Sequence, residues 1–257
     1  MPEVALLADT FNAAFEPEVL RASVRVLHAL GYRVTVPQAE DGGRPLCCGR
    51  TFLSAGLVDE ARAEARRSLA VLAPLAARGV PILGLEPACL FTLKDEWAAL
   101  LPGESDTVAD AATTVDAFLA EKVDAGHGAF DGVAIEPGAS NARVWVHGHC
   151  HQKAFAAFQP TLALLDRVTG LSASAVESSC CGMAGSFGYE AENEAASRAM
   201  AELSLLPALR NAQPDARIVA NGFSCRHQIT GLSRRPALHA IQLLDEALRG
   251  TGAAWAG

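Results

Sequence analysis

The chain has 257 residues, of which 50% are hydrophobic and 19% are charged, and its formal net charge is −8. This apolar content is enough for one large packed core or two smaller ones, and it excludes an intrinsically disordered chain. The acidic balance argues against nucleic acid as a partner, and no apolar run is long enough to span a membrane.

The first 103 residues predict a unit of alternating strands and helices. An apolar strand at 4–8 precedes a helix that Pro17 opens and Gly31 ends. A strand at 33–37 leads through a glycine-rich loop to Cys47-Cys48-Gly49, and a long helix follows at 55–77. A third strand at 81–85 ends before Cys89, and a helix at 90–101 completes the unit.

Residues 104–141 are predicted to connect this unit to a second one, with a single acidic helix at 111–123. The same order of elements then returns over residues 142–257. Strands are predicted at 143–147, 173–176 and 217–220, and helices are predicted up to 169, at 189–211 and at 237–248. The second strand of this unit leads to Cys180-Cys181-Gly182, and the third leads to Cys225.

The repeated order and the spacing of the cysteines indicate an internal duplication. Cys180 follows Cys47 by 133 positions, and Cys225 follows Cys89 by 136. We therefore predict an α/β fold of two Rossmann-like, parallel-sheet units with right-handed crossovers. Ligands collect at the C-terminal edge of such sheets, where helix N-termini favour thiolates, so the cysteines are expected at that edge.

The seven cysteines are the candidate metal ligands of the chain. The second unit offers four thiols, the usual number for a 4Fe–4S cluster or a closed zinc site: Cys150, Cys180, Cys181 and Cys225. The first unit offers three: Cys47, Cys48 and Cys89. Three thiolates leave a metal open to water, substrate or Glu86. One centre shared by both units, and purely structural buried cysteines, are the alternatives.

Histidines and an arginine accompany the thiols of the second unit. His147, His149 and His151 alternate around Cys150, so on an extended backbone they would line one side together. Such groups suit an anionic substrate, or a quinone that takes up protons with its electrons. The candidate catalytic residues are His149, His151, Arg226 and His227. Metal ligation by the three alternating histidines, and hydrogen-bonded structural histidines, are the alternatives. Lys153 could bind an anion, but a lone lysine is more often a solvated side chain.

Several motifs together resemble the cysteine-rich CCG-domain family, which includes the cysteine-rich subunit of heterodisulfide reductase, the glycolate oxidase iron–sulfur subunit and a subunit of anaerobic glycerol-3-phosphate dehydrogenase. The likeness is strongest to the C-terminal CCG region of FAD-linked D-2-hydroxy-acid oxidases. The segments that carry it are 9–19, 84–90, 147–153, 180–189 and 224–228. This chain departs from the family pattern where cysteines would stand at Thr10, Glu86 and Gly222.

The resemblance implies an iron–sulfur electron-transfer subunit or domain of a FAD-linked dehydrogenase for D-lactate, glycolate or D-2-hydroxyglutarate. The departures imply that five-thiolate clusters do not carry over, so that Cys150, Cys180, Cys181 and Cys225 would hold a 4Fe–4S cluster. Cys47, Cys48 and Cys89 would form a second centre, and zinc is an option at either site. The chain has no flavin-binding region, so the implied partners are a FAD-binding subunit or domain, a ferredoxin-type subunit and a quinone.

Two other functions are compatible with the same cysteines. A zinc-stabilised binding or scaffold module would need no redox role. A thiol reductase is less favoured, because adjacent cysteines have α-carbons ~3.8 Å apart and make a poor disulfide. The acidic start of the chain lacks the basic region of a signal peptide. We therefore expect a cytoplasmic protein with at most peripheral contact with the inner face of a membrane.

Overall fold

The computed structural model describes residues 1–40, 43–125 and 142–250 and divides into two compact units, Met1–Phe118 and Leu119–Gly257. Each unit contains one four-stranded parallel sheet flanked by helices, which confirms the predicted α/β fold with two Rossmann-like units. Residues 126–141 of the predicted connecting segment lie outside the described residues. The part at 106–124 forms two helices and a strand.

The sheet of the first unit has the order β2-β1-β3-β4. Its strands are β1 Glu3–Leu6, β2 Arg33–Thr35, β3 Ile82–Gly84 and β4 Ala112–Thr114. The helices are α1 Thr10–Phe15, α2 Pro17–Ala29, α3 Arg50–Ser54, α4 Val58–Ala77, α5 Pro87–Lys94, α6 Glu96–Leu100, α7 Asp106–Ala111 and α8 Val115–Asp124, in which the division between the units falls. Pro17 at the first position of α2 and Gly31 just beyond its end confirm the predicted limits of that helix.

The sheet of the second unit has the corresponding order, β6-β5-β7-β8. Its strands are β5 Ala142–His147, β6 Leu171–Ala175, β7 Arg217–Ala220 and β8 Ala237–Leu238. The helices are α9 Cys150–Ala154, α10 Gln159–Asp166, α11 Glu194–Glu202, α12 Leu205–Asn211, α13 Phe223–Ser233 and α14 Ala240–Gly250. Because the first strand of each unit is central and the second lies at an edge, the two sheets have the same topology, as the duplication predicts.

Four of the cysteines are buried in the hydrophobic cores. Cys48 and Cys89 pack in the core of the first unit with residues such as Trp97, and Cys181 and Cys225 pack in that of the second. Burial of a thiol in an apolar core disfavours its charged form, because the thiolate loses hydration. Burial therefore contributes to the raised pKa values of Cys48, Cys89 and Cys181.

The structure corrects several element predictions. The acidic helix predicted at 111–123 begins with strand β4, and the final helix predicted at 237–248 begins with strand β8. The long helix predicted at 189–211 is two short 3-10 helices followed by α11 and α12, and helix α13 around Cys225 was not predicted. Across the described residues, no helix combines the length and apolar character needed to cross a membrane.

Candidate metal centre

The Cys-Cys-Gly segments of the two units adopt the same backbone geometry. Gly49 has φ +89° and Gly182 has φ +96°, values that L side chains rarely adopt. The Gly49 amide donates to Cys47 Sγ at 3.4 Å, and the Gly182 amide donates to Cys180 Sγ at 3.3 Å. Each glycine thus directs a backbone N–H at the first sulfur of its own pair, which stabilises negative charge there.

A second constraint on these glycines is the close approach of a helix that lies further along the chain in the same unit. A Cβ on Gly182 would lie 2.2 Å from the carbonyl oxygen of Ser197 in α11, and a Cβ on Gly49 would lie 2.8 Å from that of Ala61 in α4. Both distances are shorter than real Cβ contacts. Glycine is therefore required for packing as well as for the turn, which explains the repeated motif.

In the second unit, three ligand atoms of different segments converge. One atom each of His147, Cys181 and Cys225 lie within 4.8 Å of one another, and all three residues are buried. His147 ends β5, Cys181 follows β6, and Cys225 lies in the first turn of α13 after β7. Cys180 extends this group, because its thiol hydrogen-bonds with that of Cys181.

His147, one of the three alternating histidines around Cys150, is the histidine that lies with Cys181 and Cys225. Its Nδ1 lies 2.7 Å from Ser178 Oγ, and its Nε2 is buried without a hydrogen-bond partner among the described residues. Burial, with a smaller contribution from the charge of nearby Lys153, lowers the pKa of His147 to about 3. The imidazole is therefore neutral at physiological pH, the state in which histidine binds metals.

The thiol pKa values of this group are raised. Hydrogen bonding to Cys181 and burial raise the pKa of Cys180 well above its usual value. The hydrogen bond with Cys180 lowers the pKa of Cys181, but the bond with Cys225 and burial outweigh it, so that pKa is raised as well. Reactive cysteines normally have lowered pKa values, so these thiols fit ligands that a cation deprotonates better than nucleophiles.

Cys150 lies in a second, more exposed group with two histidines. Its Sγ is 3.9 Å from His149 Nδ1 and 3.8 Å from His151 Nδ1. The two imidazole rings stack, with centroids 5.1 Å apart. His149 is also the N-cap of α9, accepting from the His151 amide at 3.2 Å. Of the three histidines predicted to line one side, His149 and His151 therefore stay together, whereas His147 groups with Cys181 and Cys225 instead.

Gly222 brings these two groups together. A Cβ at this position would lie 2.4 Å from His149 Cδ2 and 3.2 Å from Cys225 Sγ, so both atoms border the same small space. The His149 ring therefore occupies the volume that a side chain at position 222 would need, next to Cys225.

Lys153 belongs to the site, contrary to the solvated side chain predicted from the sequence. It is half-buried on α9, and its Nζ contacts the Ser178 carbonyl and lies 3.4 Å from that of Ser179. Burial lowers the pKa of Lys153, and the charges of the four cysteines of this unit, Cys225, Cys150, Cys180 and Cys181, act in the opposite direction. No sequence pattern distinguishes this lysine from a surface one.

Arg226 and His227 have different surroundings, although they are adjacent in sequence. Arg226 is buried and donates to the carbonyls of Ala220 and Asn221 at 3.0 and 2.7 Å. His227 lies in a surface pocket of about 410 Å³, where its Nδ1 is 2.9 Å from the Tyr189 hydroxyl. Of these two side chains, only His227 borders this pocket.

The first unit brings its three cysteines into contact but surrounds them with different groups. The Cys48 thiol hydrogen-bonds with those of Cys47 and Cys89, and neither three-ligand group found among the described residues lies in this unit. The hydrogen bond with Cys48 lowers the pKa of Cys89, but burial and the carboxylates of Asp9 and Glu86 raise it to about 11 overall. The charged groups that act on Cys89 are thus negative, whereas the thiols of the second unit interact with the positive charge of Lys153.

The two acidic residues also serve as helix caps. Asp9 accepts from the Phe11 and Asn12 amides at 3.1 and 3.0 Å, and Glu86 accepts from the Ala88 amide at 3.1 Å. Asp9 caps α1 as His149 caps α9, which aligns Thr10 with Cys150. Glu86 is thus a capping side chain at a position where the sequence pattern departs from cysteine, whereas Thr10 is the first residue of α1, directly after its cap.

Comparison with known proteins locates the family likeness. Residues 144–230 match the cysteine-rich domain called CCG. The chain is 26% identical over 249 residues to a subunit of anaerobic glycerol-3-phosphate dehydrogenase from Escherichia coli strain K12. It is 28% identical over 247 residues to D-2-hydroxyglutarate dehydrogenase of Pseudomonas putida, and 26% identical over 252 residues to that of Escherichia coli.

These matches cover nearly all of this chain but only part of its relatives. They include 94% to 96% of the chain, 59% of the glycerol-3-phosphate dehydrogenase subunit, and 22% or 23% of the D-2-hydroxyglutarate dehydrogenases. The chain therefore carries a cysteine-rich CCG domain, and it is homologous to this subunit of anaerobic glycerol-3-phosphate dehydrogenase and to a region of the D-2-hydroxyglutarate dehydrogenases.

Proposed function

We propose that the chain is an iron–sulfur electron-transfer module of a FAD-linked 2-hydroxy-acid dehydrogenase, acting on a substrate such as D-lactate, glycolate or D-2-hydroxyglutarate. It would pass electrons from the flavin of a partner subunit or domain to a quinone or another acceptor. The observation that carries the proposal is the buried convergence of His147, Cys181 and Cys225. The thiol of Cys180 adds to this group through its hydrogen bond with the thiol of Cys181. Similarity to two kinds of dehydrogenase supports the same conclusion.

The residues of the second unit fit a 4Fe–4S cluster in number and chemistry. Cys150, Cys180, Cys181 and Cys225 supply four thiols, and a bound cluster would supply one-electron transfer. Cys180 accepts a backbone N–H, and the His149 ring lies between the group of Cys150 and that of Cys225. Amide donors to sulfur and limited solvent access are the features by which proteins tune such centres.

The surrounding polar residues would serve the redox step in different ways. His149 and His151 lie beside Cys150; the partly exposed His151 would exchange protons with solvent, and His227 would do so in its pocket with Tyr189. Arg226 would contribute a fixed positive charge beside Cys225, since its guanidinium is bonded to backbone carbonyls. Proton supply of this kind suits a quinone, which takes up protons together with electrons.

The proposed partners are a FAD-binding dehydrogenase subunit or domain and a ferredoxin-type subunit. We place the complex in the cytoplasm, with peripheral contact with the inner face of the membrane where a quinone would be reached. Cys47, Cys48 and Cys89 would form a second centre in the first unit, where the mutual contact of their thiols is the supporting observation. Its three thiols and acidic surroundings suit zinc as well as a cluster.

A second candidate function is a zinc-stabilised binding module, and His147 is the observation that favours it. A neutral imidazole within 4.8 Å of two cysteine sulfurs provides the mixed nitrogen and sulfur ligands that zinc prefers. With Cys180, the group would supply four ligands and leave Cys150 outside the metal site. In this case the unit would be stabilised by the metal and would carry no electrons.

Anaerobic metal and sulfide analysis distinguishes the two functions. We expect the reconstituted protein to contain iron and sulfide and to absorb at about 400 nm, with bleaching on reduction. Cys181→Ser and Cys225→Ser should each lose the iron of the second unit. Met183→Leu is the matched control, because it changes a buried neighbour that is not a ligand while keeping the volume. Stoichiometric zinc without iron would replace the first function with the second.

A further inference from the structure

Lys153 is fixed against the loop that leads into Cys180. It lies three residues after Cys150, on the same helix, and its ammonium contacts the carbonyl of Ser178. The Ser178 hydroxyl and the Ser179 carbonyl both lie 3.4 Å from Nζ. One side chain thus ties the segment that carries Cys150 to the residues directly before the adjacent cysteines.

The charge of Lys153 acts on the whole thiol group of the second unit. Its electrostatic partners are the four cysteines Cys225, Cys150, Cys180 and Cys181. A half-buried position weakens screening by water, so a positive charge here interacts with thiolates more strongly than a surface lysine does. Arg226 is the residue after Cys225, but its buried guanidinium is hydrogen-bonded to the carbonyls of Ala220 and Asn221.

The first unit provides an internal comparison. Alignment of Thr10 with Cys150 places Ala13 at the position of Lys153. The charged groups near Cys89 are the carboxylates of Asp9 and Glu86, which oppose ionisation of its thiol. The two copies of the fold therefore surround equivalent cysteines with charge of opposite sign.

We propose that Lys153 is the counter-ion of the thiolate-ligated metal centre of the second unit and that its charge sets the reduction potential of that centre. This inference rests on the proposed function, since it assumes a bound cluster. A thiolate-ligated cluster becomes more negative when it is reduced, and a nearby cation stabilises the more negative state. Lys153 thereby acts through the cysteines as a positioning and tuning residue, without contacting a substrate.

The test is an optical redox titration of the anaerobically reconstituted full chain. Lys153→Gln should shift the midpoint potential of the second unit to a more negative value, and Lys153→Arg should keep it near that of the wild type. Lys122→Gln is the matched control, because Lys122 is a lysine of the same unit that pairs with Glu121 on an exposed surface. It should leave the potential unchanged.

Each outcome bears on the inference. A Lys153→Gln variant with full iron content and an unchanged potential would overturn it. Loss of iron in Lys153→Gln but not in Lys153→Arg would support it, whereas loss in both would show that the lysine has a packing role instead. If the wild type binds zinc and no iron, the proposed function fails. The counter-ion role of Lys153 is then tested by measuring the dissociation constant for zinc. It should be higher for Lys153→Gln than for the wild type, and unchanged for Lys153→Arg and Lys122→Gln.

Discussion

Replacing Gly182 by alanine tests whether the second Cys-Cys-Gly segment is held by the close approach of α11. The new Cβ would meet the Ser197 carbonyl oxygen at 2.2 Å, and the residue would keep a φ of +96°. The left-handed conformation costs an L residue about 1–2 kcal/mol, and forcing extra volume into a packed site costs about 1–3 kcal/mol. Alanine also restricts the unfolded chain, which offsets about 0.4–1 kcal/mol. We expect a net loss of about 3 kcal/mol.

Gly185 is the matched control in the same loop. Its φ is +71°, but no heavy atom lies within 4 Å of an added Cβ, so Gly185→Ala should show only the backbone cost, about 1 kcal/mol. In the first unit, Gly49→Ala and Gly79→Ala form an equivalent pair, because only Gly49 approaches a neighbouring carbonyl, at 2.8 Å. The milder clash predicts that Gly49→Ala is less harmful than Gly182→Ala.

Urea unfolding of the full chain, followed by circular dichroism and tryptophan fluorescence, measures these differences. The order of destabilisation should be Gly182→Ala, then Gly49→Ala, then Gly185→Ala and Gly79→Ala. Equal losses for Gly182→Ala and Gly185→Ala would refute the reasoning, because the packing of α11 against the glycine would then contribute nothing.

Three further predictions concern buried polar groups. Burial holds the pKa of His147 at about 3, so from about pH 6.5 to 3 the unfolded chain binds a proton that the folded chain does not. Stability of the metal-free protein should therefore fall with falling pH by up to about 1.4 kcal/mol per pH unit, and His147→Asn should show a shallower slope in urea titrations. Trp97→Phe removes the 2.8 Å hydrogen bond from the indole to the Cys48 carbonyl and should cost about 1–3 kcal/mol; an unchanged melting temperature would contradict this. Asp9→Ala removes the cap of α1 and should cost about 1–2 kcal/mol in the same melting assay. Glu16→Ala is the control, because the Glu16 side chain makes no cap hydrogen bond to α2, and this variant should be close to neutral.

The duplication and the fold class could be predicted from the sequence because the pattern of buried strands, amphipathic helices and Cys-Cys-Gly segments occurs twice. β4 and β8 could not, since strands of three and two residues are too short to establish a period-2 pattern. Helix α13 was missed for a related reason. It buries residues on several sides, including Cys225, Arg226 and Gln228, and so lacks the single apolar stripe that identifies a surface helix.

The sequence was sufficient to identify the cysteines of the candidate site, but not the surroundings of His147 and Lys153. The involvement of His147 depends on β5 and β7 being neighbours, and that pairing joins residues 73 positions apart, as in Val144 with Arg217. The role of Lys153 depends on carbonyl groups of a loop, which have no sequence signature. The expected row of three histidines holds only for His149 and His151, which stack; the extended backbone ends where α9 begins at Cys150, and His147 lies with Cys181 and Cys225.

The pairing of β7 directly with β5 has a consequence for the order of events during synthesis. Cys225 is the last of the four thiols of its unit to leave the ribosome, and it reaches the others only after a nonlocal parallel pairing has formed, which is a slow kind of contact. The proposed centre can therefore be completed only after this pairing has formed. Nascent chains that end before residue 225 would present an incomplete set of sulfurs.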